Sequence, residues 1–135
     1  MKNFFTLLLF TVSFASCKKM VDAVQEDLIV KAMTEGQWKV TRFTKDTSNI
    51  TSGFTPYTFQ FRPDKSVEAI RNGTIESTGN WNGSAATRTI SSSFTYANAT
   101  LSLLNGSWQI TNNSWTFVEA RQTVNNEVLT LRLDK

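Results

Sequence analysis

From residue 38 onward the chain alternates apolar and polar positions. Tyr57, Phe59 and Phe61 alternate with Thr58, Gln60 and Arg62, the mark of a strand with one buried face. Arg62-Pro63-Asp64-Lys65 follows as a tight turn, because the fixed φ of proline suits its second position, and Val67 and Ala69 resume the alternation. Asn72-Gly73 joins that strand to the next, Thr74 to Trp81, since both turn residues tolerate positive φ. The later half repeats the grammar. Asn82-Gly83 is expected to close a strand, Arg88 to Phe94 is β-compatible, and Asn105-Gly106 precedes Trp108-Gln109-Ile110. Asn112-Asn113 precedes a strand from Trp115 to Ala120, and Asn125-Asn126 one from Val128 to Leu133 with Leu129, Leu131 and Leu133 on a single face. Residues 97–104 read equally as strand, helical turn or loop. About eight short strands with turn signals every 8 to 12 residues or so give an all-β fold, and connections this short favour a small up-and-down antiparallel barrel.

The pattern before residue 38 differs. Val21, Val24, Leu28 and Ala32 recur at helical spacing over residues 20–33, and Glu35-Gly36 ends the run. Such a helix caps the open end of a barrel or serves as a spacer. Further upstream, Met1-Lys2-Asn3 gives a charged start, Phe4 to Phe14 an apolar run broken only by Thr and Ser, and Phe14-Ala15-Ser16-Cys17 a small-residue site ending in the only cysteine. This layout resembles a bacterial lipobox. The resemblance implies that residues 1–16 are a lipoprotein signal peptide and that Cys17 is lipidated, a membrane anchor in place of a spanning helix, which needs about 20 apolar residues. The expected organisation is signal peptide 1–16, lipidated Cys17 with linker and helix over 17–33, and a barrel domain over 34–135. Lys18 and Lys19 follow the cysteine, and Asp22, Glu26 and Asp27 come later and scattered. The expected place is the cell envelope, on the periplasmic face of an outer membrane, with surface exposure the alternative.

Without residues 1–16, 119 of the 135 residues remain, enough for one core. The 14 Lys and Arg against 11 Asp and Glu become 13 against 11 once Lys2 leaves, and the cations are spread singly, so no nucleic-acid footprint emerges.

Gly36-Gln37-Trp38-Lys39-Val40 resembles the Gly-x-Trp signature of lipocalins, and the run from Tyr57 through Pro63-Asp64 to Trp81 is similar to the lipocalin-like domain of small gram-negative bacterial lipoproteins. Leu104 to Ile110 resembles that family's second Trp strand. The resemblance implies that Trp38 closes the narrow end of the barrel and that an Arg near the last strand packs on it, Arg132 first and Arg121 in reserve. The chain lacks the disulfide and the long C-terminal helix of full-length lipocalins.

Chemistry is excluded more than indicated. Histidine is absent and the cysteine is assigned to lipid, so the usual zinc sites and Ser-His-Asp triads have no residues to build them. Asp46, Asp64, Glu68, Glu76 and Glu119 offer no designated pair for glycoside cleavage, and Asp46-Thr47-Ser48-Asn49 lacks the bidentate acid of a calcium loop. No catalytic residue, metal or cofactor is expected. The Asn-x-Ser/Thr sites are by-products of Asn-rich turns. The rings remain. Tyr57, Phe59, Phe61, Trp81, Trp108, Trp115 and Phe117 are the candidate lining of an apolar pocket, with Ser52-Gly53-Phe54-Thr55-Pro56 at its mouth. An eight-stranded barrel is wide enough either to be filled by side chains or to hold one small ligand. The expected function is a non-catalytic binding module for a small apolar ligand; the alternative is a structural or protein-interaction accessory with a filled barrel.

Overall fold

The structure, a computed structural model, describes residues 25–135; the expected signal peptide and Cys17 lie outside the described residues. Among these residues nine antiparallel strands form one sheet: β1 Lys39–Lys45, β2 Ser48–Asn49, β3 Tyr57–Phe61, β4 Ser66–Arg71, β5 Thr74–Ser84, β6 Thr89–Phe94, β7 Gly106–Asn113, β8 Phe117–Val124 and β9 Glu127–Asp134. Their spatial order is β2-β1-β9-β8-β7-β6-β5-β4-β3, an up-and-down meander from β3 to β9 with β1 returning beside β9. Helix α1 covers residues 25–34, a 3-10 turn covers Thr51–Phe54 and α2 covers Ala99–Ser102. The edges of the sheet share no continuous ladder. They meet at one bridge, where Trp38 donates its N–H to the Phe59 carbonyl at 2.9 Å and Phe59 donates back to Trp38 at 2.8 Å.

The expected turns form where backbone geometry demands special residues. Asn72 and Gly73 take φ of 50° and 82°, and Asn125 and Asn126 take 51° and 64°, values that Asn and Gly adopt at least cost. The Pro63 turn is held by Asp64, whose Oδ1 accepts the Ser66 N–H at 2.9 Å. Two boundaries differ from the sequence reading, and a third stretch takes one of its open alternatives. Asn82-Gly83 is not a turn: β5 runs to Ser84, with Asn82 and Gly83 paired to Ser91 and Ile90. A Cβ on Gly83 would lie 2.8 Å from the Ile29 Cγ2 of α1, so this glycine admits the helix. Nor is Asn112-Asn113 a turn, since β7 runs through both and the chain reverses over residues 114–116, which leaves Trp115 outside any strand. Residues 97–104 hold α2, whose N-cap Asn98 accepts the Leu101 N–H at 2.8 Å.

Period two fills the concave face of the sheet. Val67, Ala69, Trp81, Ile90, Trp108, Val118, Ala120 and the three leucines of β9 are buried there with Tyr57, Phe59 and Phe61. In β1 a bulge between Val40 and Arg42 shifts the alternation, which is how Val40 and Phe43, an odd number of residues apart, both reach the core. Phe54 stacks on Phe43 at 5.0 Å and is wholly buried, so the 3-10 turn plugs the end of the sheet farthest from Trp38, with a surface hollow of about 380 Å³ between it and α2.

Trp38 itself has no exposed surface, and its indole N–H donates to the Met33 carbonyl at the end of α1 at 2.9 Å. Trp38→Ala should therefore cost about 3–5 kcal/mol, the range for truncating a buried Trp. Urea unfolding checks this, and a midpoint within error of wild type would show that neither the bridge nor the helix depends on the ring.

Candidate functional site

Register places two sets of features at opposite ends of the sheet. At the Trp38 end lie α1, the connections 62–65, 85–88 and 114–116, and the terminal Lys135; at the other lie the 3-10 turn, α2 and the hairpins at 72–73 and 125–126. Between them the concave face is filled. Phe43 meets Trp108 edge-on at 5.8 Å, Phe61 meets Trp81 at 5.5 Å and 90°, and Phe59 lies 6.0 Å from Phe94. The void beside these rings measures about 30 Å³. That is space on the order of a single water.

A larger space lies at the Trp38 end. Gln25, Leu28, Ile29, Ala32 and Met33 of α1 form one wall, and Trp38, Ile90, Ile110, Trp115 and Val118 the other, with Asn113 and Ser114 at the edge, around a groove of about 400 Å³. It exists because α1 seats unevenly. Ile29 packs over Gly83 and Met33 is buried against the core, whereas Leu28 stays 46% exposed opposite Trp115, itself 52% exposed. The lining is apolar with a few amide and hydroxyl groups at one side, the usual make-up of a small-molecule site. Among the described residues, no group of three His, Cys, Asp or Glu converges, and no helix is long and apolar enough to cross a membrane.

Tyr57, Phe59, Phe61, Trp81 and Trp108 from the expected pocket come together, but as packed core. Trp115 joins the groove instead. Phe117 sits on the outer face: β8 buries Val118 and Ala120, so Phe117 and Glu119 alternate outward, and the Arg132 guanidinium lies 4.4 Å from the Phe117 ring. Arg132 is therefore not the cation on Trp38. That place belongs to Lys135, whose Nζ stands 5.0 Å from the Trp38 ring, because Leu131 and Leu133 take the inward positions of β9. Arg121, the reserve candidate, is likewise outward and exposed. The groove residues of α1 escaped the sequence reading as a site, although Leu28 and Ala32 were legible as an apolar stripe. Ile29 and Met33, one position further on, make the buried contact.

Two polar networks tie elements of the sheet together outside the groove. Tyr57 donates its hydroxyl proton to Glu76 and accepts from Asn98 Nδ2 at 2.8 Å; burial, then the Glu76 hydrogen bond, push the phenol above its ordinary value. At the Trp38 end Arg132 forks onto Asp134, Nε to Oδ2 at 2.9 Å and Nη2 to Oδ1 at 3.1 Å, and reaches Glu119 at 2.6 Å. Asp134 also accepts from the Thr41 hydroxyl, which ties β9 to β1. These bonds, Arg132 first, hold the Asp134 carboxyl below the usual carboxylate range against the opposing effect of partial burial.

No protein-family model matches the chain, and no curated protein matches it. Among solved structures, the crystal structure of a DUF4847 family protein from Bacteroides vulgatus is similar, with a TM-score of 0.55 over 78% of this chain and 96% of that one at 11% identity. At that identity the likeness concerns the fold alone.

A depressed folded pKa stabilises above the carboxyl's unfolded value, and the contribution is lost as pH falls through the folded value. Acid titration of stability should thus show a loss below about pH 4 that Asp134→Asn diminishes. Thermal melts across pH 2–7 check it, and identical acid slopes in the two proteins would show that the Arg132 fork contributes nothing.

Proposed function

We propose that the protein is a membrane-anchored envelope lipoprotein, held through Cys17, whose lipocalin-like barrel is a non-catalytic module for one small apolar molecule. The molecule sits in the groove under α1, outside the ring of strands. The observation that carries this reading is a mostly apolar lining around enough space: about 400 Å³ beneath the helix against about 30 Å³ among the core rings, where hollows of similar size elsewhere on the surface are lined by more polar residues. The first figure lies in the range of small-ligand pockets and the second does not. The meander order and the Trp38–Phe59 bridge support a barrel closed at that one seam. The filled core also favours the second reading, an accessory lipoprotein with no ligand, whereas the groove supports the first.

The test is fluorescence titration with a small apolar probe such as a naphthalene derivative. Saturable binding should weaken at least about tenfold, or about 1.4 kcal/mol, in Ala32→Phe, which fills the groove, while Phe59→Leu in the core leaves affinity within about twofold. Absence of saturable binding, or sensitivity to Phe59 and none to Ala32, would shift the assignment to the accessory. The anchor has its own test. Cys17→Ser should abolish lipid attachment as read by mass spectrometry of the membrane fraction, and an acyl-free wild-type protein would overturn it.

A further inference from the structure

We propose that the Trp38 end of the domain docks on the lipid bilayer, with Trp115 and Leu28 in its interfacial layer; this rests on the Cys17 anchor proposed above. Trp115 caps the connection between β7 and β8 and is 52% exposed, whereas Trp38, Trp81 and Trp108 are each at most 2% exposed. A tryptophan at a connection tip, half in solvent, is what an interface between water and acyl chains receives well, since its ring is apolar and its indole N–H polar. Leu28 faces it across the groove.

Exposed apolar side chains at the other end, Ile75, Tyr96, Val124 and Val128, compete for the same role. The tether selects between the ends. Gln25 lines the groove, and Cys17 stands eight residues before it, which spans at most about 28 Å when fully extended. Lipid on Cys17 therefore keeps the groove within that distance of the bilayer however the domain turns. The opposite end lies a further length of β5 away, 11 residues or about 36 Å.

Charge sets how the contact is held. Lys65 and Lys135 hold their ammonium groups over Trp81 and Trp38, with Nζ 4.8 Å and 5.0 Å from the ring centres. Glu26, Asp27, Glu35 and Asp64 share that end and offset them. The contact is thus apolar insertion, and it is expected on phosphatidylcholine as well as on anionic lipid and to persist at high salt.

The experiment reconstitutes the mature lipoprotein, extracted from its membrane in detergent, into phosphatidylcholine vesicles with or without brominated acyl chains. Because Trp115 is the one exposed tryptophan, brominated lipid should quench wild-type fluorescence, Trp115→Phe should lose most of that quenching, and Leu28→Glu should lower it. Protein that floats with the vesicles yet shows equal fluorescence on both lipids overturns the docking and leaves the anchor standing. Quenching that survives intact in Trp115→Phe overturns it as well. Protein that does not float overturns anchor and docking together.

Discussion

The two edges of the sheet meet at Trp38, and most of the molecule's arrangement follows from that residue. Its main chain exchanges two hydrogen bonds with Phe59, its ring is fully buried, and its indole N–H fixes the last turn of α1 through the Met33 carbonyl. Lys135 covers the ring from the other side. Strand ends, helix and C-terminus thus converge on one side chain. A donor buried this deeply must find an acceptor. The Met33 carbonyl is that acceptor, and it dictates where the helix lies.

With the helix pinned there, the groove is a consequence of unequal packing. On the β5 side Gly83 has no Cβ, so Ile29 descends onto the strand; on the β7 and β8 side the chain reverses at 114–116, and Leu28 stays exposed. The Arg132 fork orients Asp134, which accepts from Thr41 of β1, while Arg132 reaches Glu119 of β8, so the network ties the end of β9 to both neighbouring strands. Its individual pairs are partly exposed and screened by solvent. Their role is positional.

Local backbone chemistry was readable in the sequence, and long-range packing was not. Asn72-Gly73, Asn125-Asn126 and the Pro63 turn announce themselves because few residues accept their φ values, and the β9 leucines because period two is strict. Asn82-Gly83 carries the same letters for a different reason: the glycine answers a helix more than fifty residues earlier. Trp115 looked like the start of a strand, since nothing local shows that β7 continues through two asparagines. The bulge in β1 likewise hides Phe43 from any alternation begun at Val40. The aromatic residues marked the core correctly as rings and wrongly as a cavity, because whether rings line a space or fill it depends on how Phe43, Phe54, Phe59 and Trp108 interlock across strands.

A filled sheet moves any binding to its end, and that changes what controls access. A cavity inside a packed core opens only by disturbing many contacts at once. The wall formed by α1 is different. Its described part, residues 25–34, is held by the Trp38 indole bond and by Met33 and Ile29 against the core. Leu28 and Ala32 contribute to the groove without being needed for that attachment. The wall can therefore shift on the Trp115 side while the Trp38 side stays fixed, so the element that shapes the groove is also the least costly one to move.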